Sequence, residues 1–383
     1  LFKKHVALAQ RIMDDIIDLE LEKIEKIIAK IDSDPESEEV KEAEKHLWEK
    51  IYKKSGQGRR TGVGITAEGD MLAAMGLRYG TEEATEFSEQ VHKTIALEAY
   101  RSSVNMAKER GAFAIYDSER EKNNPFINRL KEADPELYEE MKKYGRRNIA
   151  CLTIAPTGTT SLMTQTTSGI EPVFMPVYKR RRKVNPNDPQ THVDFVDETG
   201  DAFEEYIVFH HKFVEWMTVN GYDPTKRYTQ EEIDKLVEKS PYYKATSNDV
   251  DWLMKVKMQG RIQKWVDHSI SVTINLPNDV DEALVNRLYV EAWRSGCKGC
   301  TVYRDGSRSG VLLSTKKDKK DKKEELPPCK PPTVVEVRPK VLEAEVVRFQ
   351  NNKEKWVAFV GLLDGHPYEI FTGLQDDEEG ISL

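Results

Sequence analysis

The chain has 383 residues, 38% of them hydrophobic and 32% charged, and a formal net charge of −8. That length allows one large domain or two ordinary ones with buried cores, and no stretch approaches the roughly 18 uninterrupted apolar residues of a membrane helix. The acidic balance disfavours a nucleic-acid groove, and four cysteines without an export-type leader fit a reducing cytoplasm better than a disulfide framework.

The chain opens on Leu1 rather than a methionine, which suggests a processed chain, a split-gene product or a fragment. Apolar residues recur every three or four positions from Phe2 through Val6, Met13, Ile17, Ile24 and Ile31, predicting one long amphipathic helix. Asp32-Ser-Asp-Pro-Glu-Ser interrupts it, and a second charged helix follows to about Tyr52, broken by Ser55-Gly-Gln-Gly. Thr61–Thr66 reads as extended and Glu68–Met75 as a short helix. Glu82–Arg110 reads as a long helix stopped by Gly111, and Ala112–Tyr116 as a strand. Ile149–Ala155 is an apolar strand that runs into Pro-Thr-Gly and a new helix. Ser269–Leu276 alternates and is β-branched; a helix capped near Asn278 or Asp279 runs from there to Arg294, before Gly299-Cys-Thr-Val-Tyr. Strand, helix, strand at these lengths predicts βαβ units and a largely parallel sheet or barrel.

Composition changes after Leu313. Residues 314–337 carry a lysine-rich run with interleaved acids and then Pro327-Pro-Cys-Lys-Pro-Pro, a solvated linker rather than a nucleic-acid patch. Residues 338–383 read as a small β-hairpin domain that the sequence need not contain whole, with strands at Glu345–Gln350, Lys355–Leu363 and Tyr368–Thr372. Asp364-Gly365 between two of them is a strong hairpin signal.

The most informative stretch is Thr153-Ile-Ala-Pro-Thr-Gly-Thr-Thr-Ser-Leu-Met. Pro156 suits a sharp change of direction, and Gly158 lets backbone approach a ligand with no Cβ in the way. Thr157, Thr159, Thr160 and Ser161 then stand where a helix begins, so free N–H groups, hydroxyls and the positive end of the helix dipole converge on one point. Phosphate oxygens fit such a place; an ordinary capped turn, which one Ser or Thr would satisfy, is the competing reading. No lysine follows the glycine, so this is not a Walker loop.

Asn148–Ser161 followed by Ser168-Gly-Ile-Glu-Pro-Val-Phe resembles the signature of ribonucleotide reductase large subunits. Arg59-Arg-Thr-Gly-Val-Gly-Ile-Thr, Ser269–Leu276 and Gly296-Cys-Lys-Gly-Cys-Thr-Val-Tyr-Arg-Asp-Gly-Ser-Arg extend the resemblance over roughly Leu1–Leu313. The last motif and the extra hairpin domain look most like the adenosylcobalamin-dependent (class II) type. The resemblance implies an α/β fold, the second half of a ten-stranded barrel over 1–313 with a small β-rich C-terminal appendage. It implies reduction of ribonucleotides, as diphosphates rather than triphosphates, to 2′-deoxyribonucleotides, with Pro156, Thr157, Gly158, Thr159, Thr160 and Ser161 holding the substrate phosphates. Its implied partners are the N-terminal half of the reductase, a thioredoxin- or glutaredoxin-like reductant and further copies in an oligomer, with no nucleic acid and no membrane. The alternatives are a class I fragment served by a separate metal-radical subunit, or a non-catalytic regulatory half-barrel.

In the family the radical cysteine, the reducing pair and the neighbouring Asn and Glu lie N-terminal to the matched region, so this chain alone is expected to be inactive. Cys297 and Cys300 form a C-x-x-C for which packing is preferred over redox or zinc chemistry, since His210 and His211, neighbours on a helix, would diverge. Cys151 reads as a buried core residue, and Cys329 lies in the linker. Tyr303 occupies the position that carries a tyrosine beside the active cysteine in radical-relay members; here it would pack near cofactor or substrate, a purely structural tyrosine being the equal alternative. Arg180-Arg-Arg-Lys183 reads as a solvated basic loop, and no metal ligands are assigned.

Overall fold

Val6, Ile17, Ile24 and Ile31 line the buried face of α1 (Phe2–Ile31), together with Gln10 and Asp14. The computed structural model describes residues 1–184, 193–196, 202–307, 339–351 and 354–374. Helix α2 (Glu38–Gly58) starts at a Ser37 cap that accepts from Val40 N–H, and it runs straight through Ser55-Gly-Gln-Gly. The predicted break there is corrected. The stop falls at Arg59, whose left-handed backbone (φ 47°) is held from the side-chain end by Asp14. After α3 (Glu68–Ala74) comes α4 (Glu82–Arg110), capped by Thr81 and ended by Gly111, which packs along α1. Ala112–Tyr116 is a turn, not a strand: Tyr116 N–H donates to the Phe113 carbonyl, and both rings face the Arg146 guanidinium. Short helices α5 (Ser118–Glu121), α6 (Pro125–Ala133) and α7 (Pro135–Tyr144) follow, the last two with proline in the first turn and Asn124 or Asp134 as cap.

Three extended segments then run parallel. Val63 bridges Leu152, and Ile154 bridges Ile270. Gly62 and Gly64 permit the first approach, because a Cβ at either would collide with Thr153. The middle segment leaves at Pro156 for α8 (Gly158–Thr164). Beyond it, β1 (Val177–Val184), β2 (Phe195–Val196) and β3 (Ala202–Phe209) form an antiparallel sheet in the order β1-β3-β2. The basic cluster 180–183 therefore lies in a strand rather than a loop, its register placing Arg182 opposite Glu204, with which it forms an ion pair at 2.6 Å. Helices α9 (His211–Val219), α10 (Gln230–Lys239) and α11 (Trp252–Gln263) lead to β4 (Thr273–Leu276). Helix α12 (Glu282–Arg294) is capped by Asp281, two to three residues later than the sequence suggests, and β5 (Thr301–Arg304) returns parallel to β4. The outer faces of Ile274 and Leu276 pack on Val256, Leu288 and Ala292, a buried helix–strand interface typical of βαβ units.

The chain divides into two compact units, Leu1–Thr315 and Lys316–Leu383. In the second, β6 (Glu343–Asn351), β7 (Glu354–Leu363) and β8 (His366–Leu374) form an antiparallel meander, its tight turn at Asp364-Gly365 with positive φ at both residues. The predicted linker, with Cys329, lies outside the described residues. Among the described residues no helix is long and apolar enough to cross a membrane.

Candidate functional site

The loop after Pro156 is shaped by Thr157. This residue takes the N-cap position of α8, yet its hydroxyl makes no bond to its own helix. It turns outward to accept the N–H of Gly169 at 2.7 Å and to meet the Ser168 hydroxyl at 3.0 Å. Ser161 is buried, its N–H donating to the Thr157 carbonyl and its hydroxyl to the Gly158 carbonyl. The first helical bond thus belongs to Ser161, and the N–H groups of Gly158, Thr159 and Thr160 have no intrahelical acceptor. All three residues are exposed, and a Cβ at Gly158 would meet nothing within 4 Å. Packing against the described residues therefore does not explain this glycine.

The structure thus brings Pro156 to Ser161 together with Ser168 and Gly169. Tyr303 stands apart, one strand beyond β4, where its register partner is Asn275. Both line a narrow cleft with Phe174, Met175 and Asn248, whose interior of about 20 Å³ has room for about one water.

Behind β4 lies a stripe of buried polar side chains on α11. Lys255, Gln259 and Gln263 are spaced at i, i+4 and i+8, and each donates to a carbonyl: Thr273 (2.6 Å), Gly299 (2.7 Å), and Val266 with His268 (2.9 and 2.8 Å). Burial pushes Lys255 down to about 8, against the opposing charges of Glu171 and Cys300. Glu171 Oε1 accepts the N–H of the same Thr273 at 2.9 Å. Neither Lys255 nor Glu171 stands out in the sequence by type; for Lys255 the signal is a polar stripe in the buried register of α11.

Cys297 and Cys300 pack into the α11–α12 interface behind the sheet, away from the cleft. Burial pushes the Cys297 thiol up to about 12 and raises Cys300 as well, despite nearby Lys255. Cys151 is fully buried, and burial raises its thiol too. His210 and His211 do not share the helix as expected. His210 is the residue before α9, and its Nε2 lies 2.8 Å from Asp70 Oδ1, which also accepts from Tyr242 at 2.9 Å.

Asp14, Asp15 and Asp18 approach one another closely enough to share a cation. Arginines already neutralise them: Arg59 reaches Asp14 and Asp18 at 2.8 Å each, and Arg110 reaches Asp15 at 2.7 Å. Burial alone would raise Asp14, but bonds and charge from Arg59, Arg147 and Asn148 hold it below the ordinary carboxylate value.

Residues 1–303 match the family model described as the ribonucleotide reductase barrel domain, and residues 342–383 match the NrdJ homologue C-terminal domain. A vitamin B12-dependent ribonucleoside-diphosphate reductase of Mycobacterium tuberculosis is 30% identical over 264 residues, covering 67% of this chain and 33% of that protein. One from Thermoplasma acidophilum is 30% identical over 292 residues, covering 76% and 34%. A ribonucleoside-diphosphate reductase subunit alpha of Chlamydia pneumoniae is 25% identical over 280 residues, covering 67% and 25%. The chain thus spans about a third of the length of the first two relatives.

Proposed function

The chain belongs to the ribonucleotide reductase family through its barrel domain, and we propose that it forms part of an enzyme converting ribonucleotides, as diphosphates, to 2′-deoxyribonucleotides. Its own contribution is the loop Pro156–Ser161, which holds the substrate phosphates, and the second half of a ten-stranded barrel, to which the β6–β8 sheet is appended. The observation that carries the reading is the outward N–H set of Gly158, Thr159 and Thr160, beside a glycine that packing does not require. Such a set offers fixed donors to anionic oxygens without adding a charge that would trap the product.

Substrate phosphates held there would place the ribose toward the cleft at Asn275 and Tyr303. Radical abstraction from a ribose needs such positioning to within about half an ångström. Adenosylcobalamin is the proposed cofactor, because the relatives at 30% identity are named vitamin B12-dependent. The narrow cleft at Asn275 and Tyr303 does not enclose that group. A chain supplying the radical cysteine, a thioredoxin- or glutaredoxin-like reductant, an oligomeric assembly and a cytoplasmic setting complete the proposal.

The test is Gly158→Val in the complete enzyme. Its KM for ribonucleoside diphosphate should rise by about tenfold or more, with cobalamin binding unchanged. An unchanged KM would overturn the assignment of the loop.

A further inference from the structure

We propose that Glu171 and Lys255 are positioning residues that complete the edge of β4 and so leave the amides of the Pro156–Ser161 loop free for phosphate; the inference rests on the phosphate reading of that loop. In the parallel ladder, Ile154 N–H donates to Ser269 O, and Ser271 N–H donates to Ile154 O. Alternate residues of a strand present their backbone groups to the same neighbour, so Thr273 faces this edge as well. Continuing the pattern would require an N–H at residue 156 for Ser271 O, then Thr273 N–H on the residue 156 carbonyl and Gly158 N–H on Thr273 O. Pro156 has no N–H, and the ladder ends there.

Two side chains take over what the missing strand would have supplied. Glu171 Oε1 accepts Thr273 N–H at 2.9 Å, and Lys255 Nζ donates to Thr273 O at 2.6 Å. Gly158 N–H is thereby relieved of the partner it would have had. Glu171 also lies two residues after Gly169, whose N–H holds the Thr157 hydroxyl. One short segment, 169–171, therefore grips the loop at one end and β4 at the other. It fixes the separation between the phosphate donors and the Asn275–Tyr303 cleft.

The experiment compares Glu171→Ala, Glu171→Gln, Lys255→Met and Gly158→Val in the complete enzyme. It reads ribonucleoside diphosphate affinity by calorimetry and amide exchange at 271–275. Glu171→Ala and Lys255→Met should each weaken binding by about tenfold and speed exchange at Thr273. Glu171→Gln, whose amide oxygen still accepts Thr273 N–H, should recover most of the loss, which a purely structural defect would not predict. Binding within twofold of the parent for Glu171→Ala and Lys255→Met, while Gly158→Val binds weakly, would overturn the positioning role and leave the phosphate loop standing. A silent Gly158→Val would instead overturn the phosphate reading, and the proposal with it.

Discussion

The Thr157 hydroxyl accepts the backbone N–H of Gly169 at 2.7 Å, although Thr157 stands where a capping side chain would normally serve its own helix. The bond fastens the loop to the Ser168–Phe174 segment and leaves the first amides of α8 without a side-chain cap.

Thr157→Val keeps the shape and removes the acceptor. The N–H of buried Gly169 would lose its partner, a cost of about 1–3 kcal/mol. Gly158→Ala adds a methyl that meets nothing in the protein, so stability should stay within about 0.5 kcal/mol of the parent while diphosphate binding weakens. Thermal unfolding and calorimetry on both variants check the pair. Equal destabilisation by the two changes would contradict the assigned roles.

Gly64 marks the closest approach of the first two parallel segments. A Cβ there would press on the Thr153 carbonyl, and that carbonyl belongs to backbone that cannot rotate away. Gly64→Ala should therefore cost about 3 kcal/mol. Gly299→Ala, whose Cβ would meet nothing within 4 Å, is the control. A small shift in the Gly64→Ala denaturation midpoint would mean that the ladder at Val63 yields more easily than this geometry allows.

How far the sequence revealed all this depends on which force fixes each part. The periodicity of α1 and α4, the turn at Asp364-Gly365 and the strand-to-loop passage at Pro156 follow from local preferences, and they were legible. The end of α2 was not, because Arg59 adopts its left-handed backbone within a bonded network reaching Asp14, 45 residues away. Phe113 and Tyr116 look like strand residues until Arg146 draws both rings to one side. The basic run at 180–183 reads as a loop unless its acidic partner strand, 22 residues on, is known. At the candidate site, glycine, proline and hydroxyl residues marked out the Pro156–Ser161 loop. Glu171 and Lys255 were hidden because both act on the backbone of Thr273, which no side-chain pattern records.

The two cysteines of the C-x-x-C should behave as packing residues. Burial holds Cys297 near 12 and raises Cys300, so little thiolate exists at neutral pH. Alkylation at pH 7.5, mapped by mass spectrometry to separate these sites from Cys329, should be slow in the native protein and fast after unfolding. Rapid native labelling, or a Cys297–Cys300 disulfide formed with a low-molecular-weight disulfide, would restore the redox reading.

Lys255 makes a prediction about pH. Its folded value of about 8 lies below the ordinary 10.5, because burial outweighs the charges of Glu171 and Cys300 that face it. Between those two values the unfolded chain binds more protons at this position than the native one. The Lys255 contribution to stability therefore rises with pH across that window, by a total on the order of 3 kcal/mol. Cys297 and Cys300 act in the opposite sense above about 9, since their native forms hold the proton longer. The clean measurement is thus the difference between the parent and Lys255→Met by chemical denaturation from pH 7 to 10.5. The parent should gain on the variant as pH increases, Cys297 cancelling between them while Cys300, which feels Lys255, keeps its proton longer in the variant. Parallel curves would show that Lys255 titrates normally and is solvated in the native state, and its place as a buried donor to Thr273 would have to be abandoned.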